Sequence, residues 1–202
     1  MLERRGTGKI GIVVVADVQG ADAMLASYAG RLVDEGYSVA IVGRWKVASD
    51  LDLPDHKGLA AVRRGKAGLA GVERLGVIGF GVGGLVARLA ASALPGFSVA
   101  VDFGGRIVYP SITADKPAQP LDLLPGLRGG LLCHYGEQDP VTPPAHVEEL
   151  NQRMAFRQLP FSLYLYPNCG RGFYDPQDEG YDLDAAELAW QRTIRFLELQ
   201  LG

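Results

Sequence analysis

Apolar runs of strand length alternate with helix-patterned stretches along almost the whole chain, and this alternation confines it to an α/β architecture. Residues 9–16, KIGIVVVA, are β-branched and apolar at both parities, as a strand covered on both faces requires. Further strands are expected over 37–42, 75–80, 97–103, 130–135 and 161–166. Helical spacing fits residues 21–36, where Met24, Leu25, Tyr28 and Leu32 share a face, Asp22 sits in the first turn and Gly36 ends the run. It also fits 83–94, and 144–156 with Pro143 and Pro144 near its start. The last helix is expected over 183–199, with Asp182 as N-cap and Leu188, Ile194 and Leu197 facing a core. Residues 58–69 carry a weaker helical pattern, spoiled by Gly65 and Gly68. Two stretches read as irregular: 44–54, and a long loop from residue 104 to about Pro125 that contains four prolines. With no repeat and no linker, residues 1–202 are expected to form one domain, a mostly parallel sheet with helices on both faces.

Composition narrows the partners. At 48% hydrophobic and 21% charged residues, the chain of 202 residues has ample material for a core. A net charge of −3 with a single basic cluster, Arg63-Arg64-Gly65-Lys66, argues against nucleic acid, and the cluster reads as a solvated helix face. Two cysteines do not make a disulfide framework. The opening Met1-Leu2-Glu3-Arg4-Arg5 lacks the apolar region of a signal peptide, and no stretch approaches 18 apolar residues. The expectation is a cytoplasmic protein with free thiols and no membrane span. No His, Cys or carboxylate set has metal-ligand spacing, so neither a metal nor a cofactor is expected. The oligomeric state stays open.

Chemistry concentrates at the segment Val77-Ile78-Gly79-Phe80-Gly81-Val82-Gly83-Gly84-Leu85, where a strand turns into a helix. Small residues at 79 and 83 around position 81 have the spacing of a nucleophile elbow, a sharp turn that presents its central side chain. The central residue here is glycine, so the frame of the elbow is present without a reactive atom. The same glycines also match G-x-G-x-x-G, a phosphate-binding pattern. A dinucleotide fold would place that pattern in the first βα unit with an acid about 20 residues on. Instead it follows two earlier strands, and only Asp102 stands in the next one.

Four motifs, in order, resemble those of the dienelactone hydrolases, a family with the α/β-hydrolase fold. The elbow is similar to their G-x-C-x-G-G, with Gly81 at the cysteine. Gly136-Glu137-Gln138-Asp139-Pro140-Val141-Thr142-Pro143 resembles the segment carrying their acid, which places that role on Asp139. Tyr166-Pro167-Asn168-Cys169-Gly170-Arg171-Gly172-Phe173 is similar to their histidine loop, with Arg171 at the histidine. Residues 13–20, VVVADVQG, resemble the motif in which a glutamate precedes the oxyanion loop, which places Asp17 at the acid and the Val18 and Val82 amides as oxyanion donors. The resemblance implies an α/β-hydrolase fold without a large cap domain, and a carboxylic-ester or lactone hydrolase as ancestor. Of the three triad positions, Gly81, Asp139 and Arg171, only the acid is retained. Arginine cannot serve as a general base near neutral pH.

Other residues do not refill the triad. Cys133 and His134 are consecutive in a strand and point to opposite faces. His134 reads as a satisfied core residue, His146 as a surface one, His56 as a loop residue, and Cys169 as packing. For Arg171 two roles stand open: an ion pair with Asp139, or a contact to an anionic ligand. Asp17 is either a general acid or base, or a structural acid capping a helix or paired with Arg44 or Arg106. The leading expectation is a non-hydrolytic homologue that binds a small anionic or carbonyl-bearing molecule. The alternatives are an isomerase, cyclase or lyase using Asp17 and the oxyanion donors, a weak hydrolase, and a purely structural role.

Overall fold

A computed structural model describes residues 3–17, 22–43 and 45–202. Seven strands form one sheet: β1 (Glu3–Arg5), β2 (Ile10–Val15), β3 (Ser38–Val42), β4 (Arg74–Phe80), β5 (Val99–Phe103), β6 (Gly130–Gly136) and β7 (Phe161–Tyr166). Their order is β1-β3-β2-β4-β5-β6-β7, with every neighbouring pair parallel except β1 on β3. The antiparallel edge strand β1 was not expected, because three residues rich in charge carry no apolar pattern.

Alternation along each strand divides the core in two. On β2, Val13 and Val15 face one layer while Ile12 and Val14 face the other, which is why both parities are apolar. The first layer receives α2 (Asp55–Gly68), α3 (Val82–Ala93) and α4 (Pro144–Ala155), through Val62, Val86, Ala90 and Leu150. The second receives α1 (Asp22–Asp34) and α5 (Leu183–Leu201), through Met24, Leu32, Trp190 and Leu197. Asp182 caps α5 by accepting the Ala185 amide at 2.9 Å. Leu188, expected inward, is 41% exposed; Ala186, Ala189 and Thr193 occupy the sheet-facing stripe instead. The proline-bearing loop also departs from expectation, since 120–126 winds into a 3-10 turn with Pro125 inside it.

One buried charge pins the first layer to the sheet. Arg88, in the middle of apolar α3, is fully buried and donates to Asp102 Oδ2 at 2.6 Å, to the Tyr135 hydroxyl at 2.9 Å and to the Arg106 carbonyl. Tyr135 in turn donates to Asp102 Oδ2 at 2.9 Å, and the Gly105 amide to Oδ1 at 2.8 Å. Burial works against the Arg88 charge, but Tyr135 and Asp102 outweigh it and hold its proton more firmly than usual.

His134 is tied down on the opposite layer. Thr193 Oγ1 donates to the Ala189 carbonyl, so it accepts from the His134 Nε2–H at 3.1 Å, and Nδ1 accepts from the Tyr166 hydroxyl at 2.8 Å. The ring is neutral: burial, then the nearby Arg192 charge, pushes its pKa down to about 3.

Two outcomes follow. Arg88→Met, which strands the Asp102 charge, lowers the unfolding free energy by about 3–5 kcal/mol in chemical denaturation, and adding Asp102→Asn recovers part of that loss. Because the His134 pKa lies below its unfolded value of 6.5, only the unfolded chain takes up this proton as the pH falls from 6.5 toward 3. Stability is therefore lost across that window at up to about 1.4 kcal/mol per pH unit from this group. The contribution vanishes from the stability–pH curve of His134→Gln.

Candidate active site

The chain runs outward from β2 to β3 on one side and then crosses to β4 on the other, so the sheet reverses its winding between β2 and β4. At such a switch point the crevice beyond the carboxyl ends of the strands receives ligands. Val15 pairs with Gly79 across it, and the next residues outward bring Asp17 against Gly81.

Steric demands explain the glycines. A Cβ on Gly79 would overlap the Gly83 carbonyl, and one on Gly83 would overlap the carbonyls of Val15 and Ala16. The first turn of α3 is thereby seated on the ends of β2 and β4. Gly81 itself has φ 54° and ψ −117°, a conformation that glycine adopts readily and L-residues adopt under strain. Its amide donates to the Phe103 carbonyl at 2.7 Å.

Over this turn lies the Asp17 carboxylate. Oδ1 accepts the Val82 amide at 3.0 Å, and a Cβ on Gly81 would overlap both carboxylate oxygens. The volume in which an elbow side chain would begin is thus held by an acid from another strand. Asp17 is set there by its neighbour: Ala16 donates its amide to the Val42 carbonyl at 3.0 Å and accepts the Trp45 indole N–H at 2.9 Å. Of the expected oxyanion donors, Val82 is therefore engaged with Asp17, while Val18 lies outside the described residues, as does Arg44, a suggested partner of Asp17.

Arg171 reaches the same crevice from the turn after β7. Burial opposes its charge, but Asp17, then Tyr174, Asp139 and Asp50, outweigh that effect and raise its pKa. Its guanidinium makes no ion pair or hydrogen bond with Asp139; its Nη1 is sealed from solvent without a hydrogen-bond acceptor among the described residues. The expected Asp139–Arg171 pair is not formed, because Asp139 spends its oxygens on its own turn. It accepts the Val141 amide at 2.8 Å and the Thr142 hydroxyl at 2.9 Å, and is 2% exposed.

Asp50 and Tyr174 escaped the sequence reading, and Arg106, offered there as a partner of Asp17, binds Asp50 instead. Asp50 and Arg106 form a two-point ion pair, Nε to Oδ2 at 2.6 Å and Nη2 to Oδ1 at 3.2 Å. Burial would raise the Asp50 pKa, but the Arg106 hydrogen bond and charge, aided by Arg171, bring it below the usual carboxylate value. Tyr174 is buried beside Asp17 and Arg171, and burial followed by the Asp17 charge keeps its hydroxyl protonated. The only sequence signal for Asp50 was its place in an irregular segment; for Tyr174 it was its place three residues beyond Arg171. Cys169 is buried, and burial raises its thiol pKa, as inert packing requires. Cys133 and His134 lie in opposite core layers, as their adjacency in a strand implied. His146 is half-buried rather than a surface residue. Among the described residues no group of three His, Cys, Asp or Glu side chains is placed to hold a metal ion. No described helix is long and apolar enough to cross a membrane.

A mostly parallel sheet flanked by helices, with a strand–elbow–helix turn at its switch point, defines an α/β-hydrolase fold without a large cap. Residues 46–201 match the model of the dienelactone hydrolase family, and the chain belongs to that family. It is 36% identical over 129 residues to a Bradyrhizobium sp. protein assigned as a 2-oxo-3-(5-oxofuran-2-ylidene)propanoate lactonase, covering 64% of this chain and 52% of that one. The carboxymethylenebutenolidase of Rhodococcus opacus is 27% identical over 207 residues, 94% of this chain and 81% of that protein. Among solved structures, a Klebsiella pneumoniae protein assigned to the dienelactone hydrolases superposes with a TM-score of 0.83 at 22% identity, covering 94% of this chain and 86% of that one. The chain thus spans about half the length of the first of these relatives, 52%.

The overlap at the elbow has a measurable consequence. Gly81→Ala destabilises the protein by about 1–3 kcal/mol. Combining it with Asp17→Ala gives less than the sum of the two single losses, a coupling that a double-mutant cycle in urea reads directly.

Proposed function

We propose that this chain has given up the covalent hydrolysis expected of a cysteine–histidine–aspartate system and binds a small, neutral, carbonyl-bearing molecule over the elbow. One observation carries this reading. The Asp17 carboxylate sits where the nucleophile would begin and takes the Val82 amide that would otherwise hold an oxyanion. With Arg171 at the base position, no described group is left to activate a nucleophile in the family's manner.

Charge favours a neutral ligand over the anionic one also considered. Three carboxylates, Asp17, Asp139 and Asp50, already act on the Arg171 charge. A further anion would gain little there. A ketone, ester or lactone oxygen would supply an acceptor to the Arg171 guanidinium, whose Nη1 has none among the described residues. Relatives described as a lactonase and a carboxymethylenebutenolidase lend support to a lactone-like shape.

Hydrolysis of p-nitrophenyl acetate tests the loss of covalent chemistry. Wild-type protein is expected to match its Arg171→Ala variant and the buffer rate; turnover well above both refutes the proposal. Gly81→Cys alone is expected to stay inactive because Asp17 obstructs the new side chain. Gly81→Cys with Arg171→His and Asp17→Ala, which restores the triad and clears the elbow, is expected to release p-nitrophenol above background.

A further inference from the structure

The acid over the elbow and the uncommitted cation beside it suggest more than a binding pocket. We propose that Asp17 is a catalytic general base and acid that moves a proton between carbons of a neutral enolisable carbonyl compound, with Arg171 holding the carbonyl oxygen. This rests on the reading of a non-hydrolytic, carbonyl-binding pocket.

Three placements carry it. Asp17 Oδ1 is fixed by the Val82 amide at 3.0 Å, which orients the carboxylate and directs Oδ2 into the volume above Gly81. The absence of a side chain at Gly81 is what admits a carboxylate there, since any Cβ would collide with it. Arg171 stands beside the elbow, with its Cγ 3.9 Å from where a Cβ on Gly104 would lie, next to the Phe103 carbonyl that accepts the Gly81 amide, and its Nη1 has no acceptor among the described residues. A base and an oxygen-holding cation on one crevice are the two groups that enolisation needs: one takes the α-proton, the other stabilises the charge that develops on oxygen. No nucleophile takes part, so the glycine is no defect for this chemistry. Arg106 is committed to Asp50 through two hydrogen bonds, whereas Arg171 Nη1 has no acceptor among the described residues.

A β,γ-unsaturated five-membered lactone shows the balanced step. The C–H bond at C3, next to the carbonyl, breaks and its proton passes to Asp17 Oδ2. The electron pair delocalises through C2 onto the carbonyl oxygen, which accepts an Arg171 N–H. Asp17 then returns the proton to C5, and the double bond moves from C4–C5 to C3–C4. Water is not consumed, no bond to the protein forms, and no redox partner is needed.

α-Angelica lactone is the probe, because isomerisation gives β-angelica lactone while hydrolysis gives levulinic acid, and proton NMR in deuterium oxide resolves all three. Wild-type protein is expected to accelerate isomerisation by about 100-fold over buffer, with deuterium entering at C3 of the recovered substrate. Asp17→Asn abolishes the acceleration while still binding the lactone by saturation-transfer difference. Asp17→Glu, which keeps the carboxylate, restores part of the rate. Arg171→Gln keeps a slower isomerisation and raises KM. An isomerisation rate equal to buffer in the presence of lactone binding, or equal rates in wild type and a folded Asp17→Asn, overturns this proposal and leaves the binding reading intact. Levulinic acid formed by the wild type above buffer overturns the non-hydrolytic reading instead, and no binding of the lactone overturns both.

Discussion

The seating of the first turn of α3 on the carbonyl ends of β2 and β4 is the constraint on which the rest of this molecule depends. Gly79 and Gly83 make it sterically possible, because any side chain at either position would strike backbone carbonyls. Once seated, the helix is held by the buried hydrogen bonds of Arg88 to Asp102 and Tyr135, which tie it to β5 and β6. The same seating carries the Val82 amide to the end of β2, within 3.0 Å of Asp17. Fold stability and site geometry thus share one contact surface, and a change in helix depth would be felt at both.

An elbow is ordinarily a device for exposing one side chain at the cost of backbone strain. Here the strain is removed by glycine, and the vacated volume is filled from the side by a carboxylate. Filling it with a charge requires a counter-charge nearby, and Arg171 supplies one at the position where a histidine would stand by resemblance. Gly81 and Arg171 thus act on the same carboxylate, one through space and one through charge. An imidazole beside Asp17 would neutralise it only when protonated, whereas a guanidinium is charged at every accessible pH. Asp139 serves its own turn through Val141 and Thr142. Retention of an acid at that position is accounted for by local structure alone.

Legibility in the sequence followed the reach of the interactions. Strands such as β2 were plain because apolar residues at consecutive positions record burial on both faces locally. The elbow was plain because its glycine spacing encodes a contact between residues four apart. The 3-10 turn over 120–126 was missed, since prolines signal a break in α-helix without specifying what replaces it. Arg88 left a trace, a lone cation in an apolar helix, but nothing local names Asp102 and Tyr135 as its partners.

By itself the sequence determined the layered α/β plan, the position of the elbow, the glycine at its centre and the arginine in the loop after β7, all of which are written in residue type and short-range spacing. Only the tertiary structure decided what stands over the elbow. Asp17 and Gly81 are 64 positions apart, and their meeting depends on the crossover from β3 back past β2 to β4. Strand order is a property of how whole layers pack, so no local pattern contains it. The pair anticipated between Arg171 and Asp139 is not formed, because the Asp139 oxygens are taken by the Val141 amide and the Thr142 hydroxyl.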